Sequence, residues 1–339
     1  MIASHEEQLV SVIVPALNSA RFIGRTLQSI AAQSHRQIEI IVVDDGSVDD
    51  TPHIVSSYAQ NDTRIRLFVR NHGGAPAARN FAASQARGAF LAPCDSDDLW
   101  HPDKIALQLA ALSSAPANAG VAYCWSVGID EEDGVIFPNW ARSAEEGNVL
   151  YAMMANSLPG SGSAPLIRRA CFDAAGGYPE DIPNADEWQL YIALAGLCEF
   201  AVVRRHLVGY RFRRGQVSSD VAGMAESLHR TTRWIEARWS DVPPAVLRRR
   251  AYVVNCYLAF LAARQRRFLS ALQYRIAAWG ALPASVLSLA TLDFLLLMIG
   301  QFLRLERYYY CFWRRPRTWE PAGKLRSPRS SAAVDAPDL

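Results

Sequence analysis

Two runs near the start of this 339-residue chain, LVSVIVP at Leu9 to Pro15 and IEIIVVD at Ile38 to Asp44, are rich in β-branched residues and do not alternate with polar ones. A strand that is apolar on both sides must be covered on both sides, which places these runs inside a largely parallel sheet. Between them, ALNSARFIGRTLQSIAAQ sets Phe22, Ile23, Leu27, Ile30 and Ala31 at helical spacing, with Asn18 or Ser19 as the expected N-cap. A second helix is expected after the turn Asp45-Gly46-Ser47, capped by Asp50 or Thr51 and with Pro52 in its first turn. The unit then repeats, with Ile65 to Arg70 as a strand, Gly73-Gly74 as a loop, Pro76 to Ala86 as a helix and Ala89 to Pro93 as a fourth strand. Such alternation implies right-handed crossovers and an open α/β sheet, in which ligands bind beyond the carboxyl ends of the strands. Asn18, Asp44, Asp45, Asp95 and Asp97 all follow expected strand ends.

The fourth strand runs into FLAPCDSDDLWHPDK, Phe90 to Lys104. Asp95, Asp97 and Asp98 repel one another, so a fold that gathers them supplies a cation. Hard oxygen donors suit Mg²⁺ or Mn²⁺, which bind one or two protein carboxylates and complete their shell with water and phosphate oxygens. A diphosphate-bearing substrate is therefore the first expectation. The plainer alternative is that Asp97 or Asp98 caps a helix started by Pro102.

Composition narrows the class further. Half of the residues are hydrophobic, enough for one large domain with an appendage or for two domains, and the formal charge of +2 offers no global reason to expect nucleic acid. The charge is uneven: between Arg304 and Arg329 there are eight Lys or Arg against two acidic residues. Six cysteines lie far apart, without a CxxC pair or zinc spacing, as expected of free thiols in a reducing compartment. MIASHEEQ is polar and acidic, unlike a signal peptide, and a cytoplasmic location is expected.

Four strings, VSVIVPALN, IIVVDDGSVDDT, NHGGAPAARN and FLAPCDSDDLWHPDK, occur in an order and approximate spacing that resemble family 2 glycosyltransferases of the GT-A fold, over roughly residues 9 to 215. The resemblance implies a mixed open sheet flanked by helices and transfer of a sugar from a nucleotide-diphosphate donor, UDP foremost, with inversion at the anomeric carbon. It implies that Pro15, Leu17, Asn18 and Asp44 form the nucleotide pocket, with Asp44 accepting from the base, as an acceptor-only carboxylate is suited to do. Asp45 is assigned beside it, the alternative being a simple Asx turn. Arg79, in the ARN string, is assigned to the base or diphosphate. Asp95, Ser96 and Asp97 carry the DxD, with Asp97 as the expected direct metal ligand, Asp95 toward the ribose and metal, and Asp98 as a helix cap.

Further on, NADEWQLYIALAG resembles the string that holds the family's catalytic base, which falls by position on Glu187, with Asp186 as the other candidate because the pair reads Asp-Glu where Glu-Asp is usual. Either carboxylate can take the acceptor hydroxyl's proton if it comes within hydrogen-bond reach. GYRFRRGQVS, Gly209 to Ser218, resembles a segment in which histidine is common where Arg213 stands; Arg213 or Arg214 is expected to grip the leaving diphosphate, or else to signal weaker metal dependence.

The C-terminal third reads as helices. Val246 to Arg264 and Phe268 to Trp279 are expected to form a hairpin, joined at Gln265-Arg266-Arg267. Residues 281–303 are long enough to span a bilayer, but Asp293 and a polar stripe argue for an amphipathic helix lying on the membrane or capping the domain, followed by an aromatic and basic anchor. The expected division is a transferase domain over 1–220, a helical region over 221–318 and a disordered tail over 319–339. The acceptor is expected to be a glycan or lipid-linked hydroxyl in bacterial surface polysaccharide assembly, at the inner face of the cytoplasmic membrane. The competing readings are a degenerate nucleotide-binding scaffold and, with less support because PALNSARF lacks glycine, a nucleotidyltransferase.

Overall fold

The computed structural model describes residues 8–213, 216, 220–288, 291, 294, 295 and 298. The first half contains β1 (Val10–Ala16), α1 (Ile23–Ala31), β2 (Ile38–Asp44), α2 (Thr51–Asn61), β3 (Ile65–Val69), α3 (Ala75–Gln85), β4 (Phe90–Pro93), β5 (Leu99–Trp100) and α4 (Lys104–Ser114). There follow β6 (Ala119–Ile129), β7 (Val135–Ala141), α5 (Leu150–Ala155), β8 (Leu166–Arg168), α6 (Arg169–Ala175), α7 (Asp186–Ala195) and β9 (Glu199–Arg211). Three helices close the described chain: α8 (Val221–Arg238), α9 (Pro244–Arg264) and α10 (Phe268–Ala281).

The sheet runs β3-β2-β1-β4-β8-β6-β9-β5, with β7 added on β6. Its first four strands are parallel, whereas β8 is antiparallel to both neighbours and β5 is antiparallel to β9. Val10, Val12 and Val14 of β1 belong to one core cluster with Ile23, Leu27 and Ile30 of α1, while Ile13 belongs to another with Ala78 and Ala82 of α3. All of these side chains are fully buried, so the lack of alternation in LVSVIVP reflects cover on both faces. The second cluster continues through Trp188 and Leu190 of α7 to Leu228 of α8 and Leu258 of α9, so the C-terminal helices share a core with the sheet.

Several local expectations change. Asn18 and Ser19 do not cap α1. Ser19 is held by Thr51 Oγ1 and Ser96, and its carbonyl accepts from Phe22 and Ile23, so these residues brace the loop instead. Neither Asp50 nor Thr51 caps α2 through its side chain, although Pro52 lies in the first turn as expected. Helix α4 begins at Lys104, after Leu99–Trp100 has paired with β9, so Asp98 is no helix cap. The hairpin α9–α10 forms as expected. Asp293 and the basic residues 304–329 lie outside the described residues, among which no helix is long and apolar enough to cross a membrane.

Candidate active site

Strand register builds the site. Ala16 is level with Asp44, and Ile13 with Pro93, so the segments leaving β1, β2 and β4 emerge together. They open into a cavity of about 1320 Å³ lined by Pro15, Leu17, Asn18, Asp45, Arg79, Asp95, Ser96, Asp97, Asp186, Glu187 and Arg213. Of the expected site residues only Asp44 is absent from its wall.

At the ends of β1 and β2, Asn18 adopts φ 48°, a left-handed conformation that asparagine tolerates. Its N–H donates to Ser47 Oγ (2.8 Å) and its Oδ1 accepts from Val48 N (2.9 Å), tying the ends of β1 and β2 together. Asp44 is fully buried; one oxygen accepts from Ser47 N at 3.1 Å and the other has no protein partner. Leaving such an acceptor unspent costs about 1–3 kcal/mol, so its satisfaction by a ligand or water is favoured. Asp45 is already engaged: its oxygens accept from Gly73 N (3.0 Å) and Gly74 N (2.8 Å) and lie beside His72. It pins the double-glycine loop, in which Gly74 has φ 90°, a conformation glycine takes without strain.

The carboxylates of the fourth-strand loop are distributed by their partners. Arg79, nearly buried on α3, donates to Asp95 Oδ1 (2.7 Å) and to Asp186 Oδ2 (2.8 Å), and packs over the Tyr178 ring. One guanidinium thus joins the DxD loop to the start of α7. Asp97 pairs with Arg213 Nε. Burial raises the Asp97 pKa, opposed by Arg213 and reinforced by Asp95. Asp98 is fully buried, accepting from Ser163 Oγ (2.6 Å) and Arg211 N (2.8 Å), and burial, then Asp97 and Asp95, push its pKa well up. Ser96 lines the cavity and shares a 2.6 Å hydrogen bond with Ser19.

Two supporting residues escaped the sequence reading. Ser163 accepts from Asp95 N (2.9 Å) while donating to Asp98, and so sets the spacing of the acidic loop. Arg211 donates to the Asp97 carbonyl (2.6 Å) and the Asp130 carbonyl (2.6 Å) and pairs with Asp133 (2.7 Å). The signal for Arg211 was present in GYRFRRG, next to the arginine that was singled out; Ser163 had no signal beyond a Gly-Ser loop.

At the far side, Asp186 and Glu187 open α7 after Ala185, itself at φ 55°. Asp186 is buried and spent on Arg79, its pKa raised by burial against the opposing pull of that arginine. Glu187 reaches the cavity, and burial followed by the neighbouring Asp186 pushes its pKa up to about 8. Environments that differ in this way separate an anchored carboxylate from one available for proton transfer near neutral pH.

The donor set fits a divalent cation. Asp95 and Asp97 present hard oxygens to the same cavity, and their repulsion is now met by Arg79 and Arg213. Among the described residues no cluster of three or more His, Cys, Asp or Glu could hold an ion by itself.

A mixed sheet whose parallel strand ends meet in an acidic cleft is the arrangement of the GT-A fold. A mannosyltransferase from Pyrobaculum calidifontis, solved with GDP-Man and Mn²⁺, superposes with TM-score 0.59 over 90% of this chain and 85% of its own, at 23% identity. Staphylococcus aureus TarS 1–349 in complex with UDP-GlcNAc gives TM-score 0.54 over 89% of each chain at 22% identity. Residues 11–171 match the model of glycosyl transferase family 2. A stretch of 102 residues is 43% identical to the putative teichuronic acid biosynthesis glycosyltransferase TuaG of Bacillus subtilis, covering 30% of this chain and 40% of that protein.

Proposed function

We propose that the protein transfers a sugar from a nucleoside-diphosphate donor, with UDP as the first candidate, to a hydroxyl of a glycan or lipid-linked acceptor, inverting the anomeric centre. The observation that carries this reading is that a single cavity holds the DxD carboxylates and Glu187, linked through Arg79 and Asp186. Asp44, fully buried behind the cavity wall with one unspent oxygen, accepts from the base once a shift of the neighbouring loop uncovers it. The diphosphate lies toward Asp95 and Asp97, where Arg213 takes up charge as the leaving group departs. Asp97, with Asp95, would hold Mn²⁺ or Mg²⁺, which when bound supplies Lewis-acid stabilisation of the diphosphate. Glu187 takes the proton of the acceptor hydroxyl, whose oxygen forms the new bond to the anomeric carbon from the face opposite the leaving group. Asp186 keeps Arg79 in place and does not share in the proton transfer.

The relatives suggest the setting: TuaG is named for teichuronic acid biosynthesis, and the two solved transferases for complexes with UDP-GlcNAc and GDP-Man. We place this chain in surface polysaccharide assembly, at the inner face of the cytoplasmic membrane.

Calorimetry with UDP, GDP and dTDP, with and without Mn²⁺, tests the donor site on the wild type and on Asp97→Ala. One nucleotide is expected to bind tightly only with metal and to lose at least tenfold in affinity in the variant. Absence of metal-dependent binding for all three would overturn the roles given to Asp95 and Asp97; metal-dependent binding without any turnover would favour the scaffold reading.

A further inference from the structure

Helix α10 is built inside out. Its buried positions are Ala271, Arg275 and Ala278, whereas Leu269, Leu272 and Ile276 are 80%, 43% and 55% exposed. Those three fall at i, i+3 and i+7, which is one stripe of a helix. Arg275 is the only charged residue in Phe268–Ala281, and its guanidinium is turned inward to Cys256 Sγ (3.0 Å) and Thr291 Oγ1 (2.6 Å). The outer face, about 21 Å long at 1.5 Å per residue, therefore carries no charge at all. Nearby α8 follows the ordinary rule, with Glu226, Arg230, Arg233 and Glu236 exposed.

The surroundings of the stripe select what covers it. Residues 244–281 contain seven arginines and no Asp or Glu. Four of the seven, Arg248, Arg249, Arg266 and Arg267, are exposed, the last two in the turn that opens α10. A second copy would set the same positive hairpin against itself. The chain's own residues 304–329, with eight basic residues against two acidic ones, would be repelled in the same way. An apolar, uncharged stripe framed by cations matches a surface that is apolar beneath a layer of negative charge.

We propose that the outer face of α10 docks on an anionic lipid bilayer, Leu269, Leu272 and Ile276 entering the acyl boundary while Arg266 and Arg267 meet headgroup phosphates. This deepens the membrane setting proposed above and rests on it, but not on the sugar chemistry. It also orients the enzyme. Val253 and Tyr257 of α9 line the cavity, while α9 packs along α10, so a single helical hairpin separates that part of the cavity from the lipid. That arrangement suits an acceptor held at the bilayer.

The test is sedimentation of the full chain with vesicles of phosphatidylcholine alone or with one third phosphatidylglycerol, at low and high salt. The wild type is expected to bind the anionic vesicles only and to release at high salt. Leu269→Ser/Leu272→Ser/Ile276→Ser should weaken binding at least tenfold, and Arg266→Gln/Arg267→Gln should reduce both binding and its salt dependence. Nucleotide binding should be unchanged in both variants, which certifies their fold. A wild type that ignores anionic vesicles, or a triple variant that binds them as the wild type does, overturns the proposal. So does a concentration-dependent dimer that the triple variant abolishes, since the stripe would then be covered by a second copy. Vesicle binding without nucleotide binding would sink the donor-site reading and leave this one standing.

Discussion

Glu187 carries two opposing demands, one from folding and one from chemistry. Burial and Asp186 hold its proton on up to a pKa of about 8, against 4.5 for the free side chain. Its turnover is therefore expected to rise with pH, tenfold per unit below 8 and level above, as the base ionises. Stability runs the other way. Between the unfolded and folded pKa values the native state binds more protons, so raising pH through that window costs stability. Glu187→Gln should thus lower kcat by about 10²–10⁴, leave nucleotide affinity intact, and raise the melting temperature at pH 8 relative to the wild type. A variant with unchanged pH–rate profile would show that another group takes the proton. Asp186→Asn should differ in kind: it leaves Arg79 buried with half its pairing, and a loss of both donor binding and stability, the latter by about 3–5 kcal/mol, is expected in calorimetry and denaturant titration.

Between elements, much of what orders the proposed base, Glu187, comes from a helix far along the chain. Arg250 of α9 is 1% exposed and donates to Thr232 Oγ1 (2.8 Å), the Met154 carbonyl (2.9 Å) and the Leu228 carbonyl (3.3 Å). Its guanidinium lies 4.3 Å from the ring centre of Trp188, whose indole donates to the Met153 carbonyl at 2.7 Å. One cation therefore joins α5, α7 and α8 beside the residue that follows Glu187, and burial lowers its pKa to about 9. Arg250→Met relieves the buried charge but orphans its acceptors, each worth about 1–3 kcal/mol; a net loss of about 2 kcal/mol is expected, with kcat falling more than tenfold and nucleotide affinity within threefold. Equal turnover per folded molecule would make Arg250 purely structural. None of this was legible in the sequence, where Arg248-Arg249-Arg250 is a run of three like residues and only packing tells which one turns inward. The strands β1 to β4 were legible, because burial on both faces leaves an unbroken apolar run. So was the acidic loop, because three carboxylates in four residues are costly without a counter-charge. Helix starts were less so: Asn18, Ser19 and Asp98 have capping chemistry, yet Val48 N, Ser96 Oγ and Ser163 Oγ claimed their side chains.

At the scale of the whole molecule, the expected border near residue 220 separates a transferase sheet from a helical region, but it does not separate two cores. Leu258 and Val254 of α9 lie in the same buried cluster as Trp188, Phe200 and Ile167 of the sheet domain. Helices that depend on one another in this way unfold together, because exposing α9 also strips the apolar cover from α7. A single cooperative transition is expected in denaturant for the whole described body, reported alike by tryptophan fluorescence and circular dichroism. Leu258 is fully buried, so Leu258→Ala should cost about 2–5 kcal/mol, shift that one transition to lower denaturant, and leave its slope unchanged. If instead the transition splits, and nucleotide binding survives the first phase, the helices fold apart from the sheet and α9 cannot be the support of Glu187. Coincident loss of structure and nucleotide binding would mean that the α10 face proposed to meet the membrane and the cleft proposed to perform the transfer belong to one folding unit.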